Sequence, residues 1–445
     1  MHYGKLSWAL LIGLVTASGA LADDWPQWLG PKRDGVWRET GILKKFPPEG
    51  LKPRWRVPVA EGYSGPAVAN GIVYITDWVR DRGVVPPKSP FDKARQAGTE
   101  RVLAIDEATG KILWKHEYPA AYTISYAAGP RCTPVVDAGK VYTLGSMGDL
   151  ICFEAKTGKV LWQRDFVEEF QAPVPLWGFA AHPLIDGDQI ICLVGGEGSV
   201  VMSLDKNTGQ ERWRALNASE IGYCPPMIFT VGRTRQLIIW HPDAIVGLDP
   251  ATGKQFWSQE FKIRAGLSIP TPRLTPDNRL FVSSFYNGSM MLQLSDPPAA
   301  KLLWRGKKMS EMPRNTDGLH SIMTTPFIIG DYIYGICSYG QLRCLKADTG
   351  ERVWEDLRAT GGKLARWGHA FLIEQGGRFF LFNEHGELII AKLTPKGYEE
   401  IDRTRLIEPT NVLAGRDVVW MHPAFANRTI FARNDRELIA VSLAE

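Results

Sequence analysis
The chain has 445 residues, with 52 Lys and Arg against 48 Asp and Glu and a formal net charge of +4. That balance, with no basic run, excludes the electrostatic footprint of a nucleic-acid binder. Length alone would suggest two or three domains, but a repeat architecture overrides that prior because each unit adds only to its neighbours.

Read from the start, Lys5 followed by the apolar stretch 6–18 has the form of a secretory signal, too short to span a bilayer. Ala20-Leu21-Ala22 is a small-residue cleavage site. Residues 1–22 are therefore expected to be a signal peptide cut after Ala22, leaving a secreted or periplasmic chain. No Cys stands at the cut to take a lipid, and no later stretch is apolar enough for a membrane helix. Residues 23–50 read as a lead-in segment and 51–445 as one repeat domain.

One pattern then recurs: an alternating strand, an acidic or polar residue, Thr-Gly, and a strand ending in Trp. It ends at Trp114, Trp162, Trp213, Trp257 and Trp354, with worn copies at Trp304 and Ile401. The repeat of roughly 44 to 51 residues is the length of a propeller blade. Thr-Gly supplies a tight turn between two β-rich runs. The recurrence accounts for many of the 16 Trp, which are expected to pack between blades. A lone Trp strand around Trp55 precedes the first full copy, and the final run ELIAVSL has no Trp strand after it. The two ends are expected to share one blade, which makes eight four-stranded antiparallel blades. The fold class is thus all-β, an eight-bladed β-propeller closed by its termini, a closure that leaves no open sheet edge.

The six Cys are too sparse for a disulfide-dependent scaffold. If Gly340-Gln341 is a two-residue turn, Cys337 and Cys344 lie directly opposite each other, within reach of a disulfide. Residues 80–99, Pro-rich and basic, read as an insertion between the second and third strands of the first full blade. Long loops on a rigid scaffold often carry function.

The position before the proline of each innermost strand also repeats: Gly65, Thr133, His182, Pro225, Thr271 and Thr325, with His369 and His422 in the equivalent places. Tyr63, Arg131, Trp177, Phe179, Tyr223, His320, Arg366, Trp367 and Trp420 lie in the flanking loops. Together they compose a candidate binding site for a polar ligand or chain at the channel mouth. The competing reading is that strand starts near a propeller axis are crowded and that their His side chains bond neighbouring backbone. No metal site is expected, because His182 falls about half a turn away from His369 and His422.

The Thr-Gly-x-x-x-Trp repeat resembles that of quinoprotein (PQQ-dependent) dehydrogenases and of the β-propeller subunit of the outer-membrane protein assembly machine. The resemblance implies the fold more than the function. Those dehydrogenases stack their quinone on a ring of two adjacent disulfide-bonded Cys, and many carry a haem-attachment C-x-x-C-H. Neither motif occurs here, and no calcium ligand or catalytic Asp transfers. The expectation is a monomeric, non-catalytic binding or scaffolding propeller of the cell envelope without a cofactor. Its partner would be a protein, a glycan or another polar ligand. The alternative is a PQQ- and calcium-dependent oxidoreductase with an atypical site.

Overall fold
Each repeat folds into four antiparallel strands, lettered A to D from the channel outwards. The computed structural model describes residues 23–445 except 414, so the signal peptide expected at 1–22 lies outside the described residues. Blade 1 is Ala67–Ala69, Ile72–Arg80, Gly98–Asp106 and Ile112–Pro119. Blade 2 is Val135–Asp137, Lys140–Leu144, Asp149–Glu154 and Val160–Asp165; blade 3 is Leu184–Asp186, Gln189–Leu193, Val201–Asp205 and Glu211–Ala215. Blade 4 is Met227–Val231, Thr234–His241, Ala244–Leu248 and Gln255–Glu260; blade 5 is Arg273–Leu274, Arg279–Ser284, Gly288–Ser295 and Ala299–Arg305. Blade 6 is Phe327–Ile329, Tyr332–Ile336, Leu342–Lys346 and Arg352–Asp356; blade 7 is Ala370–Gln375, Arg378–Asn383, Glu387–Thr394 and Gly397–Arg405. Blade 8 takes strands A to C from the C-terminus, Ala424–Ala426, Thr429–Arg433 and Glu437–Ser442, and strand D from the N-terminus, Pro53–Pro58. The eight-bladed, terminally closed propeller read from the repeat is the fold.

The Thr-Gly…Trp motif is a lock between blades. The indole N–H of Trp55 donates to the Glu107 carbonyl of the next blade at 2.8 Å, Trp114 to Ala155 at 2.8 Å and Trp162 to Lys206 at 3.0 Å. Trp304 donates to Ala347 at 2.9 Å and Trp354 to Thr394 at 2.8 Å. Except at Trp354, the turn glycine of the next blade lies flat against the same ring. A Cβ on Gly158 would come within 2.6 Å of Trp114, and one on Gly350 within 2.6 Å of Trp304. Two of the remaining Trp vary the lock: Trp257 donates to Gln236 of its own blade, and the Trp213 indole N–H has no partner among the described residues.

Three expectations are corrected. In blades 1 to 6, strand D skips one residue immediately before its Trp. In blade 7 the skip falls on Ile401, so Asp402, not Ile401, occupies the Trp register. The Asp402 carboxylate accepts the N–H of Phe46, whose ring joins the apolar cluster of blades 7 and 8. Cys337 and Cys344 are not opposed: Cys344 pairs with Tyr334, and Cys337 N–H donates to the Gln341 carbonyl at 2.8 Å. Gly340, at φ +88°, is the left-handed residue of a longer loop, which shifts the register. All six Cys are buried free thiols. Finally, the insertion is shorter than 80–99, because strands B and C of blade 1 run on to Arg80 and from Gly98.

The lead-in segment is structural. It circles the channel and touches every blade in order. Trp25 bridges Val68 of blade 1, and the Pro26 carbonyl accepts Val136 N–H of blade 2. Arg33 donates to the carbonyls of His182 and Pro183 in blade 3 and of Pro226 in blade 4. Arg273 of blade 5 donates to the Arg33 carbonyl, and Gly35 lies against Phe327 of blade 6. Trp37 N–H bonds Glu374 of blade 7, and Glu39 accepts Arg428 N–H of blade 8. Trp25, Leu29, Trp37, Ile42 and Phe46 are all buried.

Candidate functional site
The channel opens on the face of the D–A and B–C loops into a cavity of about 410 Å³. Strand direction puts those loops together, because strand A starts and strand B ends there. Of the ten candidate residues, Arg131, Trp177, His182, Tyr223, Arg366, Trp367, Trp420 and His422 line this cavity. His320 and His369 do not. His320 is fully buried beside the Phe285 carbonyl, 3.2 Å from its Nδ1, with Asp317 at 3.5 Å from its Nε2. His369 is buried behind the wall, against Phe371 and Trp420, with its Nδ1 3.7 Å from Glu384. Phe179 is buried too, packed on Phe166 away from the cavity.

The floor comes from the lead-in segment. Trp28 lines the cavity and donates its indole N–H to Thr271 Oγ1 at 3.0 Å. Its ring stacks on His182, centroids 4.1 Å apart and planes 9° from parallel, and lies 4.6 Å from His422. Both imidazoles therefore pack against one indole. Burial pushes both down: His182 falls well below the ordinary His range, helped by the neighbouring Arg33 and His422, and His422 falls to about 3. Both are neutral at physiological pH, and backbone contacts fix their tautomers. His182 Nδ1 accepts the N–H of Thr133 at 2.9 Å, which leaves Nε2 as its donor. His422 Nδ1 lies 2.6 Å from the Pro423 carbonyl and must donate, which leaves Nε2 as an acceptor.

The walls are aromatic and held from behind. Arg131 stacks over Tyr63, 5.1 Å to the centroid, and donates to the carbonyls of Gly129, Ser125 and Tyr126 and to Ser146 Oγ. Arg366 lies 4.6 Å over Trp367 and pairs with Glu311 at 3.1 Å. Glu384 is a buried anchor: burial raises its pKa, but His369 and Arg416 outweigh that and bring it to about 2. It holds Arg416 at 3.0 Å, and Arg416 in turn donates to the Arg366 carbonyl at 2.7 Å. The insertion crosses the mouth. Tyr126 N–H donates to the Pro90 carbonyl at 2.6 Å, and the Phe91 ring lies 5.2 Å from Tyr126 and 6.3 Å from Trp367.

Sequence reasoning missed Trp28, Phe91, Tyr126, Tyr286 and Phe371 in the lining. A signal for the first existed: Trp25, Trp28 and Trp37 form an aromatic cluster outside the repeat, with no strand period to explain it. No carboxylate of the described residues lines the cavity. Among the described residues, no group of three or more His, Cys, Asp and Glu side chains is placed to hold a metal ion.

A family profile described as outer membrane protein assembly factor BamB matches residues 98–356 and 242–445, most of the chain. The chain belongs to that family. Among curated relatives of this BamB-type chain is the outer membrane protein assembly factor BamB of Shewanella oneidensis, 22% identical over 56% of the chain and 63% of the relative. Another is the quinohemoprotein alcohol dehydrogenase ADH IIB of Pseudomonas putida, 30% identical over 35% of the chain and 21% of the relative. The chain thus spans less than two thirds of either relative. Among solved structures, quinohemoprotein alcohol dehydrogenase from Comamonas testosteroni superposes with a TM-score of 0.61 at 13% identity, covering 95% of this chain and 80% of that one. BamB from Moraxella catarrhalis superposes with a TM-score of 0.50 at 16% identity, covering 83% and 97%. At these identities the likeness is one of fold.

Proposed function
We propose that this chain is a non-catalytic binding or scaffolding propeller of the cell envelope, exported by its N-terminal signal, that engages its partner at the D–A loop face. The observation that carries the reading is the contrast between the two ends of the disc. One end holds a recessed aromatic cavity with Arg residues in its wall, the composition that dominates binding energy in known interfaces. The other presents short Thr-Gly turns. The BamB-type relatives, whose name assigns them to outer membrane protein assembly, support a protein partner in the same compartment.

Similarity to quinohemoprotein alcohol dehydrogenases keeps an oxidoreductase as the second reading. The donor set does not fit the quinone–calcium pair that this reading requires. Among the described residues the cavity wall holds no carboxylate for the ion and no thiol, and the six Cys are non-adjacent, buried and free. Reconstitution with PQQ and calcium is expected to give neither quinone absorbance nor dye reduction; tight quinone uptake with alcohol oxidation would promote the second reading.

The binding reading is tested by partner capture from an envelope extract. Joint replacement of Trp367 and Trp420 by Ala is expected to abolish capture while leaving the melting temperature within a few degrees. Lys111→Ala and Lys159→Ala, beside the Thr-Gly turns, are expected to change nothing. The opposite pattern would place binding on the wrong face.

A further inference from the structure
We infer that the cavity seats a small, uncharged planar ring carrying an adjacent hydrogen-bond donor and acceptor, held against Trp28, His182 and His422, which share its lining. The inference rests on the D–A face being the binding face and specifies what its deepest part takes. Three observations carry it.

The first is shape and surface. The floor is an indole that is only partly covered, and Trp177, Trp367 and Trp420 supply aromatic walls. The volume of about 410 Å³ is near the lower end for small-molecule sites, which run from about 300 to 1,000 Å³. Flat apolar groups stack well on such walls.

The second is charge. A cationic ligand would meet two guanidiniums and no carboxylate. An anionic ligand would have to compete with Glu311 for Arg366, while Arg131 already spends its donors on four protein acceptors. In an apolar cavity either charge also carries a desolvation cost that a neutral ring escapes.

The third is the pair of fixed tautomers. His182 offers an Nε2–H donor and His422 an Nε2 acceptor, and neither atom has a partner among the described residues. Both imidazoles pack on the same indole and line the same cavity, so a ring edge bearing an amide-like donor and acceptor has both groups beside it.

The test is calorimetric titration of the full mature chain with three ring-matched probes: 2-naphthamide, 2-naphthoate and 2-naphthylmethylammonium. Naphthamide is expected to bind at one saturable site, and each charged probe about tenfold or more weakly, because an unpaired charge in an apolar site is penalised. Ala180→Trp, which adds bulk to the cavity lining, and His422→Phe, which removes the acceptor, are expected to weaken naphthamide binding at least about tenfold while the chain stays folded. No saturable binding of naphthamide, tighter binding of naphthoate, or an affinity indifferent to Ala180→Trp would overturn the inference. If naphthamide fails while replacement of Trp367 and Trp420 still abolishes partner capture, the ring inference falls alone. If that replacement leaves capture intact, the face assignment falls with it.

Discussion
Gly158 shows in one residue why the Thr-Gly motif recurs. Its φ of +72° favours Gly, and a Cβ there would strike the Trp114 ring at 2.6 Å. Gly139, at φ +76°, has open space around its missing Cβ. Gly139→Ala is therefore expected to cost about 1 kcal/mol through the backbone alone, and Gly158→Ala about 1–3 kcal/mol more through the displaced indole. Urea denaturation midpoints measure the difference, and equal losses would contradict the lock. The floor imidazoles give a second residue-level expectation. His422 titrates near 6.5 when unfolded and near 3 when folded, so its contribution is fully present above pH 6.5 and drains away as pH falls toward 3. Asp149 opposes this. Burial and the nearby Glu100 raise it to about 7, so its contribution is present at low pH and lost as pH rises through 7. The difference between parent and His422→Gln isolates the first effect: the variant should lose less stability between pH 7 and pH 4. A variant parallel to the parent over that range would show that His422 is not buried neutral.

Among elements, the lead-in segment matters most beyond the blades. It encircles the channel, supplies the cavity floor and buries Trp37 to 1% exposure. Trp37→Ala should cost about 3–5 kcal/mol, as large-to-small changes in packed cores do. An unchanged denaturation midpoint would contradict the encircling packing. The blades were legible in the sequence because most repeat the same turn glycine and Trp, and a period survives the loss of individual copies. The lead-in has no period to read. Its contacts run from Val68 to Arg428, separations at which no local pattern reports. The candidate site was half legible for the same reason. Trp177, Trp367, Trp420 and Arg366 were read from their place in repeated loops. His320 and His369 occupy equally suggestive positions, and only side-chain packing turns them away from the cavity. The Cys337 register was misread because Gly340 fits either of two loop lengths.

At the scale of the whole molecule, one short strand closes the ring. Pro53–Pro58 completes blade 8 against Glu437–Ser442, and Trp55 locks that blade to blade 1 through Glu107. Deleting residues 51–59 should expose the edge of Glu437–Ser442 and remove one of the eight interblade seams, with a sharp fall in melting temperature; a deletion that melts like the parent would refute terminal closure. Under the proposed function the ring in turn decides which end of the disc binds, since every D–A loop and the Phe91 insertion emerge together while the Thr-Gly turns gather opposite. The most direct test of that claim is photo-crosslinking in the intact cell envelope, with a benzophenone amino acid placed at Trp177 in the cavity rim or at Lys159 beside a Thr-Gly turn. Adducts from position 177 and none from 159 are predicted; adducts from 159 with none from 177 would contradict the account.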